Sequence, residues 1–525
     1  MLKRRLLYIS GALAIVLAIT AARNTPRLTA ATDENDLSLQ TFTQLLNIVE
    51  ERYVDDVDSR ELVEGAIRGM ISTLDPHSAY LDAKTYSGMR EEQRGSFSGL
   101  GIVISLKGDE KELTVISPIE GTPAQRAGIR AGDHISRIEG TSTQGITTDE
   151  ALEKLRGPKG TKVTISIERE GYDQPIDYTI VRDDIPTASI PYAYMLRPGV
   201  GYIRIKNFTQ TTDTELAEKL EMREAQGMDK LILDLRWNPG GLLEQAVRVT
   251  NRFLDQNSLI VYTKGRLHRE SDRNYHAVMK TERLHLPLIV LVNKGSASAS
   301  EIVSGALQDH DRALVVGETT WGKGLVQTVY PMTGNTGLAL NTAKYYTPSG
   351  RLIQRDYESR EDYVMGNDTT PMDEREVRMT DGGREVLGGG GISPDIEVPL
   401  SESSKFTDEL ERQVVFFDFA LAYTTNHPAV PDKETFRVTD AIMADFVKFL
   451  GTRKIEHTPE QIQENRDYLE IAIKAEIYSY HFGLEERQKV LVERDDQILK
   501  ALELFPLAKS LPVLAESESK SEQKQ

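Results

Sequence analysis

Three serines alternate with alanines in Ser296-Ala297-Ser298-Ala299-Ser300, and a lysine between two glycines, Lys323, follows. A serine hydroxyl attacks a carbonyl carbon only when a base takes its proton. A lysine is such a base if desolvation leaves it neutral, with a pKa several units below its ordinary value of about 10.4. Flanking glycines let the backbone pack close and bend there. The chemistry on offer is acyl transfer. The plainer alternative is that the serines are only small residues at a tight junction. A second turn, Arg236-Trp237-Asn238-Pro239-Gly240-Gly241, precedes a helix. Bare N–H groups at Gly240 or Gly241 suit an oxyanion hole, and a plain turn is the competing reading.

These residues must be held by regular elements. Leu288–Val292 is an apolar run short enough for a buried strand. Glu301 opens a helical pattern with Ile302, Val303, Ala306 and Leu307 on one face. The serines therefore sit where a strand turns into a helix, and free N–H groups and the helix dipole there favour developing negative charge. Ala313–Val316 is a second strand-like run. Upstream, Gly201–Ile205 and Leu231–Leu235 read as strands. Thr212–Gln226, with a capping box at Thr212 and Glu215, and Leu242–Leu254 read as helices. Strands alternating with helices indicate an α/β core.

Ser-Ala-Ser-Ala-Ser-Glu-Ile (296–302), Val-Val-Gly-Glu (315–318) and Gly-Lys-Gly-Leu-Val-Gln (322–327) resemble, in that order, the C-terminal processing peptidases, or tail-specific proteases. The similarity runs from Phe42 to Pro399. It includes Leu74-Asp75-Pro76-His77-Ser78, Tyr345–Leu352 and Gly391-Ile392-Ser393-Pro394-Asp395. The resemblance implies a Ser/Lys endopeptidase with Ser298 as nucleophile, Lys323 as base and Gln327 orienting the lysine. It implies an oxyanion hole from the N–H of Ala299 and of Gly240 or Gly241. In an extended strand, positions 323 and 327 lie about 13 Å apart. A Lys–Gln contact then needs a bend at Gly324 or a lysine reaching along the strand.

The implied fold is a multidomain α/β chain: a ClpP/crotonase-like Ser/Lys peptidase core with an inserted PDZ domain, N-terminal helices and a C-terminal helical domain. Residues 1–31 read as a signal peptide or membrane anchor with a tether. Lys3-Arg4-Arg5 precedes the apolar run Leu6–Ala22, as in an export signal. The location implied is periplasmic, either soluble after cleavage or anchored in the inner membrane by residues 6–22. Residues 32–94 read as an N-terminal helical region.

Residues 95–182 resemble a PDZ domain through Ser98-Gly99-Leu100-Gly101-Ile102 and Arg126-Ala127-Gly128-Ile129-Arg130-Ala131-Gly132-Asp133. Such a domain adds a peptide to a sheet edge. N–H groups of Gly99, Leu100, Gly101 and Ile102 would receive a terminal carboxylate, and Ile102, Ile104, Leu152 and Leu155 would take the last apolar side chains. The alternative is a small β-domain that only spaces the core. Residues 183–400 are the core, 401–514 the helical domain and 515–525 a disordered tail.

The chain has 525 residues, a net charge of −18 and no cysteine. That excludes a basic nucleic-acid footprint, a disulfide framework and a thiolate nucleophile. No HExxH pair occurs among the nine histidines, so neither metal nor cofactor is expected. Expected partners are protein substrates with apolar C-terminal tails. An adaptor protein, contact of the N-terminal segment with the inner membrane and a homo-oligomer formed through the helical regions stay open. Rival readings make the chain a non-catalytic peptide-binding scaffold, or a hydrolase whose base is His310 of Asp309-His310-Asp311. His77 is a weaker candidate base, read as part of a turn.

Overall fold

The computed structural model describes residues 32–107, 111–169, 171–356, 360–365 and 375–522. The export stretch expected within residues 1–31 lies outside the described residues. Among the described residues no helix is long and apolar enough to cross a membrane. The chain divides into two compact units, one up to Tyr80 and one from Leu81 onward.

The first unit contains helices α1 (Thr32–Arg52) and α2 (Ser59–Ser72). Asp58 caps α2, accepting from the Arg60 N–H at 2.7 Å. Met70 is exposed, as are Phe42 and Leu45 on α1. Two helices alone have too few neighbours to cover their apolar stripes. Asp75 accepts from the N–H groups of His77 and Ser78 at 2.8 and 2.7 Å, closing the turn expected there.

The second unit begins with α3 (Ala83–Arg94), which composition groups with the N-terminal helices. Next come β1 (Ser96–Gly99), β2 (Ile102–Lys107), β3 (Glu112–Pro118), β4 (His134–Ile138), α4 (Thr148–Leu155), β5 (Lys162–Glu168), β6 (Ile176–Val181) and β7 (Asp183–Pro186). Strands β2 to β6 form an antiparallel sheet in chain order, so β2 stands at an edge. Its core includes Leu113, Val115, Ile135, Val163 and Ile165. α4 starts with the expected capping box, the Thr147 N–H donating to Glu150 at 2.8 Å. β1 pairs with β7 and closes the insertion onto the rest of the unit.

The core follows: β8 (Tyr192–Arg197), β9 (Val200–Arg204), α5 (Thr212–Glu224), β10 (Lys230–Asp234), α6 (Leu243–Asn251), β11 (Leu259–Lys264), β12 (Arg273–His276), β13 (Leu288–Val292), α7 (Ala299–Asp309), β14 (Leu314–Gly317), β15 (Leu325–Met332), β16 (Thr336–Tyr346) and β17 (Ile396–Glu397). The central sheet has the order β8-β9-β10-β13-β14-β17, with β8 antiparallel and the rest parallel. Every residue of β13 is buried, as a strand covered on both faces requires. Leu216, Val249, Val303 and Leu307 of α5–α7 cover one face. The capping box expected at Thr212 is absent. Thr212 is already helical, its hydroxyl accepts from the Thr209 N–H at 2.9 Å, and Glu215 accepts from the Ile190 N–H at 3.0 Å. β15, β16, β11 and β12 form a second, antiparallel sheet.

The longer C-terminal helices are α8 (Lys405–Arg412), α9 (Val415–Asn426), α10 (Asp440–Thr452), α11 (Arg466–Phe482), α12 (Leu484–Leu491) and α13 (Asp496–Glu522), with a short helix, Pro459–Glu464, before α11. Periodicity suggests unbroken helices over 407–423, 458–481 and 485–504. Breaks intervene at Val414, which is left-handed, at Asn465 and at Asp495. Phe416, Phe419, Phe446 and Leu469 form the core shared by α9–α11. α13 leaves that cluster. Its Ile498, Ala501, Phe505 and Ala508 cover the second face of the central sheet against Tyr202, Ile232, Ile289 and Leu291. It also continues through 515–522, where composition suggests a disordered tail. Ala, Glu and Lys propagate a helix cheaply once it is nucleated.

Candidate active site

Three adjacent parallel strands, β10, β13 and β14, deliver the expected site residues beyond their carboxyl ends, where α/β sheets place ligands. β10 leads into the glycine turn, β13 into the serines and β14 into the lysine loop. The three serines separate by environment. Ser296 is fully buried and donates to the Leu235 carbonyl at 2.8 Å. Ser300 is fully buried and donates to the Asn238 carbonyl at 2.9 Å. Both tie the β13–α7 junction to the glycine turn. Ser298 is half-buried and takes the N-cap position of α7 with φ of 55°. A positive φ on a residue with a Cβ is costly, so the surrounding turn enforces it.

Glu301 organises what lies around Ser298. It is fully buried, and its carboxylate gathers donors from two segments. Oε2 accepts from the N–H of Ser298 at 2.6 Å and of Lys323 at 3.0 Å. Oε1 accepts from the Thr320 hydroxyl at 2.7 Å and the Gly322 N–H at 2.6 Å. Burial pushes the Glu301 carboxyl above its ordinary range, against the pull of these donors. The buried Tyr345 hydroxyl lies 3.1 Å from the Ser298 carbonyl and also contacts the Lys323 carbonyl. One carboxylate and one phenol thus bracket the backbones of both Ser298 and Lys323. Lys323 itself is half-buried. Gly324 precedes β15, and its N–H donates to Gln354 at 2.9 Å. Gln327 is exposed on β15, past a β-bulge between Val326 and Gln327. The bulge breaks the regular extension that would set positions 323 and 327 a full strand length apart.

The glycine turn lies against the serine. A Cβ on Gly240 would stand 2.8 Å from the Ser298 Cβ and 3.0 Å from the Ala299 nitrogen. Only glycine permits that approach, and its φ of 107° also favours glycine. The Gly240 N–H already donates to Asn238 Oδ1 at 2.9 Å. Among the described residues none accepts from the Gly241 N–H. The Ser298 N–H is likewise taken by Glu301, whereas Ala299 is the first helical residue of α7, where N–H groups lack intrahelical partners.

His310 stands at the other end of α7, about 16 Å away at the rise of an α-helix. Its Nδ1 meets Asp381 at 2.6 Å and its Nε2 the Leu259 carbonyl at 2.7 Å. Burial would lower its pKa, but these partners outweigh it and raise it. With both ring nitrogens engaged, neither faces Ser298. In the inserted domain, Gly101 has φ of 80° and packs on Thr122. Leu100 and Leu155, at 3% and 5% exposure, belong to the domain's own core, while Ile102 and Leu152 are half-buried.

Sequence reasoning missed Glu301, Tyr345, Asn238 and Gln354. Glu301 was visible only as the start of a helix. Its place three residues after Ser298, in position for a capping interaction, was the available signal.

Residues 199–364 match peptidase family S41, residues 90–168 a PDZ domain, residues 16–85 the "activating protease CtpB N-terminal domain", and residues 406–461 the "probable PDZ-protease, C-terminal helical domain". A carboxy-terminal-processing protease of Bartonella bacilliformis is 41% identical over 359 residues, 67% of this chain and 81% of that protein. A carboxyl-terminal-processing protease of Synechocystis sp. is 38% identical over 353 residues, 63% and 81% of the two chains. Among solved structures, a photosystem II D1 C-terminal processing protease is 28% identical, covers 67% of this chain and 85% of its own, and has a TM-score of 0.35. Identity at this level across most of a relative's length establishes the family, and the chain belongs to the carboxy-terminal processing proteases, serine-type peptidases of family S41.

Proposed function

We propose that this chain is an exported endopeptidase that binds the C-terminal tails of proteins and cleaves upstream of them. A tail adds as a strand at the β2 edge, its carboxylate meeting the N–H groups between Gly99 and Ile102. Ser298 Oγ attacks the scissile carbonyl carbon while the neutral Lys323 amine takes its proton. The tetrahedral oxyanion is held by the N–H groups of Ala299 and Gly241. Collapse expels the amine, which takes the proton from the Lys323 ammonium. Water, deprotonated by the Lys323 amine, then attacks the acyl-enzyme carbonyl, and Ser298 Oγ leaves taking the proton back from the Lys323 ammonium. Gln327 orients the lysine.

The observation that carries this reading is the shared carboxylate of Glu301, which receives the N–H groups of both Ser298 and Lys323. Ser296 and Ser300 are spent on structural hydrogen bonds, and so is the Gly240 N–H. The apolar run after Lys3-Arg4-Arg5 supports export to the periplasm.

The test is turnover of one protein bearing an apolar tail, by wild type, Ser298→Ala, Lys323→Ala, Lys323→Arg and Gln327→Ala, across a pH series. Loss of the base should cost about 10²–10⁴ in kcat. Lys323→Arg should be as inactive as Lys323→Ala, because a guanidinium holds its proton throughout this range. Gln327→Ala should be impaired but measurable. Near-wild-type turnover by Lys323→Arg would remove Lys323 from the base role. Amidating the substrate's terminal carboxylate should slow cleavage by wild type. Equal rates for acid and amide would reject tail recognition.

A further inference from the structure

β15, the strand that carries Gln327, also walls a cleft of about 650 Å³. The cleft lies across the second sheet, between β11, β12, β15, β16 and the connection from Lys264 to Arg273. Val326 and Thr328, the residues on either side of Gln327, line it. So does Thr263, the cross-strand partner of Tyr345, whose hydroxyl reaches the Ser298 carbonyl. The cleft therefore shares its strands with Gln327 and Tyr345 and is large enough for several peptide side chains.

Its chemistry runs against that of the chain. The protein carries 81 acidic and 63 basic residues. Yet the charged side chains lining this cleft are three arginines, Arg266, Arg269 and Arg273. All three are exposed, and among the described residues none of them forms an ion pair. The acids that flank them in sequence are Glu270 and Asp272, and Asp272 is engaged with His268 at 3.0 Å and the Gly265 N–H at 3.0 Å. The floor is polar too: the hydroxyls of Thr328 and Thr342 meet at 2.7 Å, and Thr263 donates to the Ser271 carbonyl at 2.5 Å.

We propose that this cleft is a cationic subsite that selects substrates with aspartate or glutamate side chains close to the scissile bond. The inference rests on the proteolytic reading above and adds a substrate class to it. Guanidinium groups present paired donors that match a carboxylate. In a strongly acidic protein, acidic segments are repelled elsewhere, so three unneutralised arginines in a cleft along β15 attract such a segment to this place. Tail recognition at β2 then brings a protein to the enzyme, and the arginines choose where along it the bond is cut.

Three quenched fluorescent peptides test this with the full-length enzyme. They share one apolar C-terminal tail and differ only in carrying Glu, Gln or Lys at the positions flanking the cleaved bond. Wild type should show kcat/KM about tenfold higher for the Glu peptide than for the Lys peptide, with most of the difference in KM. In R269E/R273E the order should reverse. Raising the salt from about 0.05 to 0.5 M should shrink the wild-type ratio severalfold, because exposed charges are screened. That salt series decides the matter if the double variant is inactive on all three peptides. A wild-type ratio near one overturns the subsite, and so does a ratio unchanged by both the charge reversal and salt. Failure of the Ser298/Lys323 assignment is seen separately, in active-site variants that keep their turnover on the Gln peptide.

Discussion

Glu301 does at the residue scale what Ser298 and Lys323 cannot do for themselves. Both approach the site on chain segments free to move apart, and one buried carboxylate accepts from the N–H of each. Burying that carboxylate is costly, as the upward displacement of its pKa shows, and the donors around it offset part of the cost. We expect Glu301→Ala to lower kcat by about 10–100-fold with KM nearly unchanged, since misplacing reacting groups by about 1 Å costs that much. Steady-state kinetics on a tail-bearing peptide checks it. A rise in KM at constant kcat would instead put Glu301 in substrate binding. Ser298 and Lys323 could be singled out in the sequence because their motifs are local. Glu301 was not, because its partners Gly322 and Lys323 lie 21 and 22 residues away. No periodicity reports such a contact. That the Gly240 N–H is taken was likewise invisible, since it turns on the Asn238 side chain.

At the scale of elements, β10 and α13 meet through a buried ion cluster. Arg236 pairs with Asp234 at 2.6 Å and with Asp495, just before α13, at 2.8 Å. It also donates to Gln497 at 2.9 Å. Burial alone would raise the Asp234 carboxyl, but the Arg236 charge outweighs it and holds it below the ordinary range. A carboxyl with a depressed folded-state pKa adds stability above its unfolded value, about 3.9, and loses it as the pH falls through the folded value. We therefore expect Asp234→Asn to cost about 3 kcal/mol at pH 7, the usual penalty for breaking a buried pair. The difference from wild type should shrink below about pH 4. Denaturant titrations at pH 7 and pH 3 measure it, and an equal loss at both would exclude the ionised pair. The apolar runs made β10, β13 and β14 readable to within a residue or so. The helix breaks at Val414 and Asn465 were not, because a left-handed valine and a single asparagine leave the apolar period intact.

Across the whole second unit, the inserted domain is tied to the C-terminal helices. Lys107, at the end of β2, meets Asp418 of α9 at 2.6 Å and lies 3.5 Å above the Phe417 ring. Asp418 also pairs with Arg453 of α10. A cleft of about 770 Å³, lined by Val103, Phe417, Leu421, Tyr480 and Leu484, separates the two bodies nearby. The strand that would receive a tail is thus the strand docked on α9. We expect Lys107→Ala to raise amide hydrogen exchange severalfold over 415–426 while leaving 288–292 unchanged. Unchanged exchange over α9 would count against the docking. The helices themselves were legible from their periodicity, but their destinations were not. An apolar stripe says that a helix must be covered, without saying by what.

The destination of α13 sets the order in which the enzyme can be completed. Strands of the central sheet are contributed between Tyr192 and Glu397, but one face stays bare until Ile498 to Leu511 arrive. During synthesis that interval of about 100 residues lasts roughly 5–20 s. A chain leaving the ribosome or threading a membrane N-terminus first therefore carries its serine and lysine well before the sheet beneath them is closed. The strand ends that hold Ser298 and Lys323 therefore stand on a half-covered sheet until the last helix seats.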